Sequence, residues 1–115
     1  MSTGKITSRL EHWAIEYNDL KRSLLDLGYI CPGSVVERYM PCGKAYCRCM
    51  KNPNNRHGPY YEWSRKVHGK TSTVRLGKED AALYVEFTRN NQKLRKVCDR
   101  MRALSMKIAQ KKRKT

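Results

Sequence analysis

Two apolar seams with helical spacing, one near each end, constrain this chain more than any other feature. Near the start, Leu10, Trp13, Tyr17, Leu20, Leu24 and Leu27 follow at steps of 3, 4, 3, 4 and 3 residues. Near the end, Leu83, Phe87, Asn90, Leu94, Val97, Met101, Leu104 and Ile108 step by 4, 3, 4, 3, 4, 3 and 4, and only Asn90 is polar. This alternation lines up one face of an α-helix and is the seam of a helix packed on another helix. Ser8-Arg9-Leu10-Glu11 fits a capping box, and Gly28 follows the last seam residue, so the first helix is expected over about 9–27. Glu79 and Asp80 suit a helix N-terminus and basic residues crowd the later turns. The second helix is therefore expected over 79–110, roughly 48 Å at 1.5 Å per residue. Seams this narrow imply an antiparallel pair within the chain, a homodimer or a partner helix. Asn90 inside a seam would fix the register at some cost in stability.

The segment between the seams has a different period. Ser34 to Met40 is rich in β-branched residues and reads as a strand. Tyr60 to Val67 and Lys70 to Leu76 flank His68-Gly69, a two-residue hairpin turn. Pairing Val67 with Lys70 sets Trp63 opposite Val74 and Tyr61 opposite Leu76 on one face. Glu62 then faces Arg75, Ser64 faces Thr73 and Lys66 faces Thr71 on the other. One face is apolar and the other polar with an opposite-charge pair, which makes the register self-consistent.

The 115 residues include 25 Lys or Arg against 10 Asp or Glu, a net charge of +15. Residues 1–30 are neutral, residues 31–77 carry +7 and residues 78–115 carry +8. The asymmetry suggests a packing element at the start and a polyanion-binding remainder. No apolar run is long enough to span a membrane, and the N-terminal residues lack the apolar stretch of a secretory signal. A small chain buries a modest core and often relies on a metal or a partner subunit.

Five cysteines, an odd number, argue against a disulfide framework. Three lie within eight residues: Cys42-Gly43-Lys44-Ala45-Tyr46-Cys47-Arg48-Cys49. His57 lies within loop reach. Zn²⁺ takes four nitrogen or sulfur ligands in a tetrahedron, so Cys42, Cys47, Cys49 and His57 form a candidate structural site, with Cys31 as the rival fourth ligand. Such a site would tie the loop to the sheet and gather Lys44, Arg48, Lys51 and Arg56 on one rim. The C-x4-C-x-C spacing differs from the common C-x2-C pair, so three reduced thiols in a loop remain the alternative. Cys98 belongs to the core or flank of the second helix.

Pro32-Gly33-Ser34-Val35-Val36-Glu37-Arg38-Tyr39, Cys42-Gly43-Lys44…Cys47-Arg48-Cys49, His57-Gly58-Pro59-Tyr60-Tyr61 and Gly69-Lys70-Thr71 together resemble the pattern of a family of short prokaryotic proteins, known as a domain of unknown function. The resemblance covers about residues 30–108. It implies that Cys42, Cys47, Cys49 and His57 act as a set. Trp63…Gly69-Lys70…Arg75-Leu76-Gly77 with its following helix is more loosely similar to the three-stranded arm-DNA-binding modules of phage-type integrases.

These readings give an α+β expectation. An N-terminal helix (1–30) precedes a small antiparallel three-stranded sheet with a zinc-knuckle-like loop (31–77). A long basic helix and tail (78–115) pack back on the first helix, all in one domain. For phosphate contact the second helix offers Arg89, Lys93, Lys96, Arg100 and Lys107 on one stripe, and Lys111, Lys112, Arg113 and Lys114 form a basic tail. Arg65, Lys66 and Lys70 flank the hairpin turn, where a two-stranded ribbon can enter a major groove. The expected function is an accessory or regulatory nucleic-acid-binding protein, of a mobile-element kind, that grips duplex DNA. RNA binding within a ribonucleoprotein is one alternative, and a coiled-coil interaction adaptor is another. Only Glu37 and Glu62 occur between 31 and 77, so the carboxylate cluster of a Mg²⁺ nuclease is missing and an enzyme is not expected. The expected location is the cytoplasm, with the nucleoid or a ribonucleoprotein.

Overall fold

His68 and Gly69 have φ of 51° and 80°. Two consecutive left-handed residues make the type I′ turn, whose twist matches that of the strands it joins. The computed structural model describes residues 2–41 and 43–113, with all their side chains except those of residues 2–8, Cys49 and Pro53. Along the chain lie α1 (Ser2–Ser23), a 3₁₀ turn (Leu24–Asp26) and β1 (Ser34–Met40). Two further 3₁₀ turns (Arg48–Met50 and Pro53–Asn55) precede β2 (His57–Val67), β3 (Lys70–Leu76) and α2 (Lys78–Lys112). The expected α+β architecture is present. Two compact units are distinguished: α1 with α2 from Asn90 onward, and Ile30–Arg89.

In the sheet unit the strand order is β1-β2-β3, antiparallel throughout. The hairpin register is the expected one: Val67 pairs with Lys70, Trp63 with Val74 and Tyr61 with Leu76. On the other side Val35 pairs with Trp63 and Glu37 with Tyr61. The register shifts between Arg38 and Met40, where Gly58 and Pro59 of β2 oppose the single residue Tyr39. A proline in a central strand is confined to such a bulge because it cannot donate to the ladder. Gly33, at φ 86°, leads into β1; a Cβ there would lie 2.1 Å from the Ser64 carbonyl oxygen. Only glycine lets the backbone pass this close to β2.

The first turns of α2 cover one sheet face. The Tyr84 ring lies 4.7 Å from that of Trp63, whose indole N–H donates to the Pro32 carbonyl at 2.8 Å. Glu79 and Asp80 occupy the first turn, where the helix dipole favours them. The Cys31 N–H donates to the Phe87 carbonyl at 3.0 Å and ties the lead-in of β1 to the helix. Ala81 and Thr88 are buried in this part of α2.

In the helical unit α1 and α2 are antiparallel, because contacts made later along α1 meet earlier residues of α2. Trp13 meets Lys107, Glu16 meets Arg100, and the Tyr29 carbonyl accepts from Asn90 Nδ2 at 2.8 Å. Asn90 thus satisfies its amide N–H on the backbone that follows α1 instead of across the seam. Leu104, fully buried, and Val97 form the centre of the seam. Two boundaries differ from the sequence reading. α1 starts at Ser2, so Ser8 lies inside the helix and does not cap it. No proline interrupts residues 2–8, and a formed helix extends at low cost through such a stretch. α2 runs to Lys112, so Lys111 and Lys112 form its last turn instead of a tail.

Candidate nucleic-acid interface and thiol–imidazole pair

Strand alternation separates the residues at the hairpin. Arg65 shares a face with Trp63, and its guanidinium stacks 4.1 Å from the indole centroid. One of its terminal nitrogens is buried without a hydrogen-bond partner among the described residues. Arg65 therefore belongs to the helix-covered face, apart from its neighbour Lys66. Lys66 is on the opposite face and donates to the Thr71 hydroxyl at 3.0 Å. Lys70, at the start of β3, is exposed.

That opposite face is a polar lattice. Glu62 sits at its centre with its side chain 18% exposed, between Arg38 at 3.6 Å and Arg75 at 4.0 Å. Both arginines are more than half exposed. Arg75 also stacks over the Tyr60 ring at 4.5 Å. The Ser64 and Thr73 hydroxyls bond each other at 2.9 Å. One carboxylate thus stands between two exposed guanidiniums, and Lys66 adds a third cation. Arg38 and Arg75 were absent from the expected contact set. The Glu62–Arg75 pairing was readable from the hairpin, but Arg38 joins it only through the non-local pairing of β1 with β2.

In the cysteine loop, Cys47 Sγ lies 3.1 Å from His57 Nε2. Local turns build this approach. The Cys47 N–H donates to the Lys44 carbonyl at 3.0 Å, and Asn52 Oδ1 accepts from the Asn54 N–H at 3.0 Å. His57 opens β2 opposite Met40. Two of the four expected ligands are therefore together. Cys42 and the Cys49 side chain lie outside the described residues. Among the described residues no group of three or more His, Cys, Asp or Glu side chains could hold a metal ion. Lys44, Arg48, Lys51 and Arg56 are all exposed around this loop.

On α2, Arg89, Lys93, Lys96 and Lys107 are exposed and form no ion pair with a described residue. Arg100 is different: it grips Glu16 through Nε and through Nη2, the latter at 3.0 Å. The hydrogen bond from Arg100 holds the Glu16 carboxyl below the usual carboxylate range, and burial only partly opposes it. The same bond pushes Arg100 up. This arginine of the expected phosphate stripe is engaged in joining the helices. Lys111, Lys112 and Arg113 are exposed at the end of the pair, and Lys114 lies outside the described residues. A hydrogen bond to Glu37, at 3.0 Å, raises the Tyr39 hydroxyl above the usual phenol range.

Residues 10–85 match a family described as Domain of unknown function (DUF6788). The chain belongs to this family. The DUF6788 match takes in most of α1, the whole sheet, the cysteine loop and the first turns of α2, and it ends before Arg89. No curated protein and no solved structure matches the chain. Among the described residues, no helix is long and apolar enough to cross a membrane.

Proposed function

We propose that this protein is a nucleic-acid-binding accessory or regulatory protein that takes duplex DNA on the polar face of its sheet. The observation that carries this reading is the Arg38–Glu62–Arg75 lattice. Two exposed guanidiniums gathered about one carboxylate, at 3.6 and 4.0 Å, can address phosphates or base edges. Lys66 and the hydroxyls of Thr71 and Thr73 extend the same surface. Lys44, Arg48, Lys51, Arg56, Lys70, Arg89, Lys93, Lys96, Lys107, Lys111 and Lys112 supply further phosphate contacts. Both carboxylates of residues 31–77 are engaged, Glu37 by Tyr39 and Glu62 by two arginines. That supports binding over catalysis. The seams pack on one another within the chain, which favours nucleic acid over a coiled-coil partner. A cytoplasmic, nucleoid-associated location follows from this reading.

The loop is proposed to hold a structural Zn²⁺ through Cys42, Cys47, Cys49 and His57. Zn–S and Zn–N bonds of about 2.3 and 2.0–2.1 Å at a tetrahedral angle separate sulfur from nitrogen by ~3.5 Å. The 3.1 Å between Cys47 and His57 lies within a small adjustment of that value. The metal would supply folding energy to a loop held otherwise by 3₁₀ turns. Two measurements test the function. Affinity for a duplex, read by fluorescence anisotropy against an RNA hairpin and a single strand, should rank the duplex first; equal or tighter RNA binding would move the assignment to RNA. Purified protein should contain about one zinc, and chelation should expose amides of residues 43–57 to exchange. Metal content near zero would remove the zinc.

A further inference from the structure

The open end of the helical pair holds a feature outside the sheet and the cysteine loop. A cleft of about 500 Å³ is lined by Arg9, Trp13, Lys107, Gln110, Lys111 and Arg113. Four of these six residues are cationic and none is acidic. The Lys107 ammonium stands 6.0 Å from the Trp13 ring centroid. Glu16, on the same helix pair, is already held by Arg100. The cleft therefore combines a lining of four cations and no acid with an aromatic wall.

We propose that this cleft binds an unpaired nucleotide of a single strand, with the base against Trp13 and the adjoining phosphates on Arg9, Lys107, Lys111 and Arg113. The chemistry selects this ligand. A phosphate alone would need the cations but not the indole. A neutral aromatic would need the indole but gain nothing from four cations. A nucleotide in a strand uses both, and stacking on an aromatic platform beside a basic track is how single strands are held without sequence preference. Gln110 adds an amide that can donate to or accept from a base edge. The proposal rests on the nucleic-acid reading above and deepens it: the sheet takes duplex, and the helix ends take an unpaired nucleotide.

The test uses the full chain, a labelled oligothymidine and a blunt duplex of equal length. The strand should quench tryptophan emission, and Trp13→Phe should abolish that part of the quench while largely keeping affinity, because phenylalanine still stacks. Trp13→Ala should weaken single-strand binding about tenfold and leave blunt-duplex binding unchanged. In case Trp13→Ala disturbs the helices, Lys111→Ala with Arg113→Ala offers exposed changes that should lower single-strand affinity and its salt slope by about two phosphates. The site is overturned if the labelled strand binds with no quench dependent on Trp13, or if inorganic polyphosphate quenches as strongly as the strand. The duplex arm keeps the two readings apart. Duplex binding without the Trp13 signal removes the cleft alone, and failure of both ligands removes the nucleic-acid reading with it.

Discussion

The two units hold their positive charge in different ways. In the sheet unit the strand arginines are anchored: Arg38 and Arg75 on Glu62, Arg65 on Trp63. In the helical unit Glu16 and Asp99 hold Arg100 and Arg102, whereas Arg9, Lys107, Lys111 and Arg113 gather around Trp13 with no acid among the described residues of the lining. Anchored cations have fixed directions and suit readout; loose cations supply affinity with little geometric demand. A net charge of +15 conceals this distinction.

The largest predicted effect removes the centre of the helical unit. Leu104 is fully buried, so Leu104→Ala should cost about 2–5 kcal/mol. Hydrogen exchange should place the lost protection in α1 and in α2 beyond Asn90; equal loss across the three strands would break the division into units. Gly33→Ala is the counterpart in the sheet. A left-handed alanine costs on the order of 1–3 kcal/mol before the clash with Ser64 is added, and denaturation should show at least that loss. Adjacent residues then sharpen the contrast between anchored and exposed. Arg65→Ala should cost roughly 0.5–1 kcal/mol of stability and little duplex affinity, while Lys66→Ala should do the reverse. The reverse ranking would put Arg65 on the binding face.

The smallest effect depends on pH. Glu16 has a lowered folded-state pKa, so its contribution to stability is present above the ordinary carboxylate range and is lost as pH falls through the folded value. The gap in melting temperature between the parent and Glu16→Gln should be widest near neutral pH and should close in acid. A constant gap would separate the bridge from stability.

Much of the fold was legible because its determinants are local. The 3–4 spacing of the seams, the positive-φ turn at His68-Gly69 and the alternation of Tyr61, Trp63, Val74 and Leu76 each act within one element or one hairpin. The start of α1 was missed because a capping pattern at Ser8 and Glu11 does not stop a helix that can extend further. The site was less legible because it depends on which faces meet. Arg38 enters the lattice only when β1 pairs with β2, and Arg65 lies over Trp63 because strand alternation sets both on the face that Tyr84 meets. Arg100 looked like part of a phosphate stripe until α1 brought Glu16 beside it. The cleft at Trp13 joins residues more than ninety positions apart, which no window on the sequence connects.

The central claim is that the anchored face of the sheet carries the binding. It is tested most directly by the salt dependence of duplex affinity in the parent and in the combined Arg38→Ala, Lys66→Ala and Arg75→Ala variant, with circular dichroism confirming an intact fold. The account predicts a linear fall of log affinity with log salt in the parent and a slope shallower by about three phosphates in the variant. A flat slope in the parent, or an identical slope and affinity in a folded variant, would contradict it.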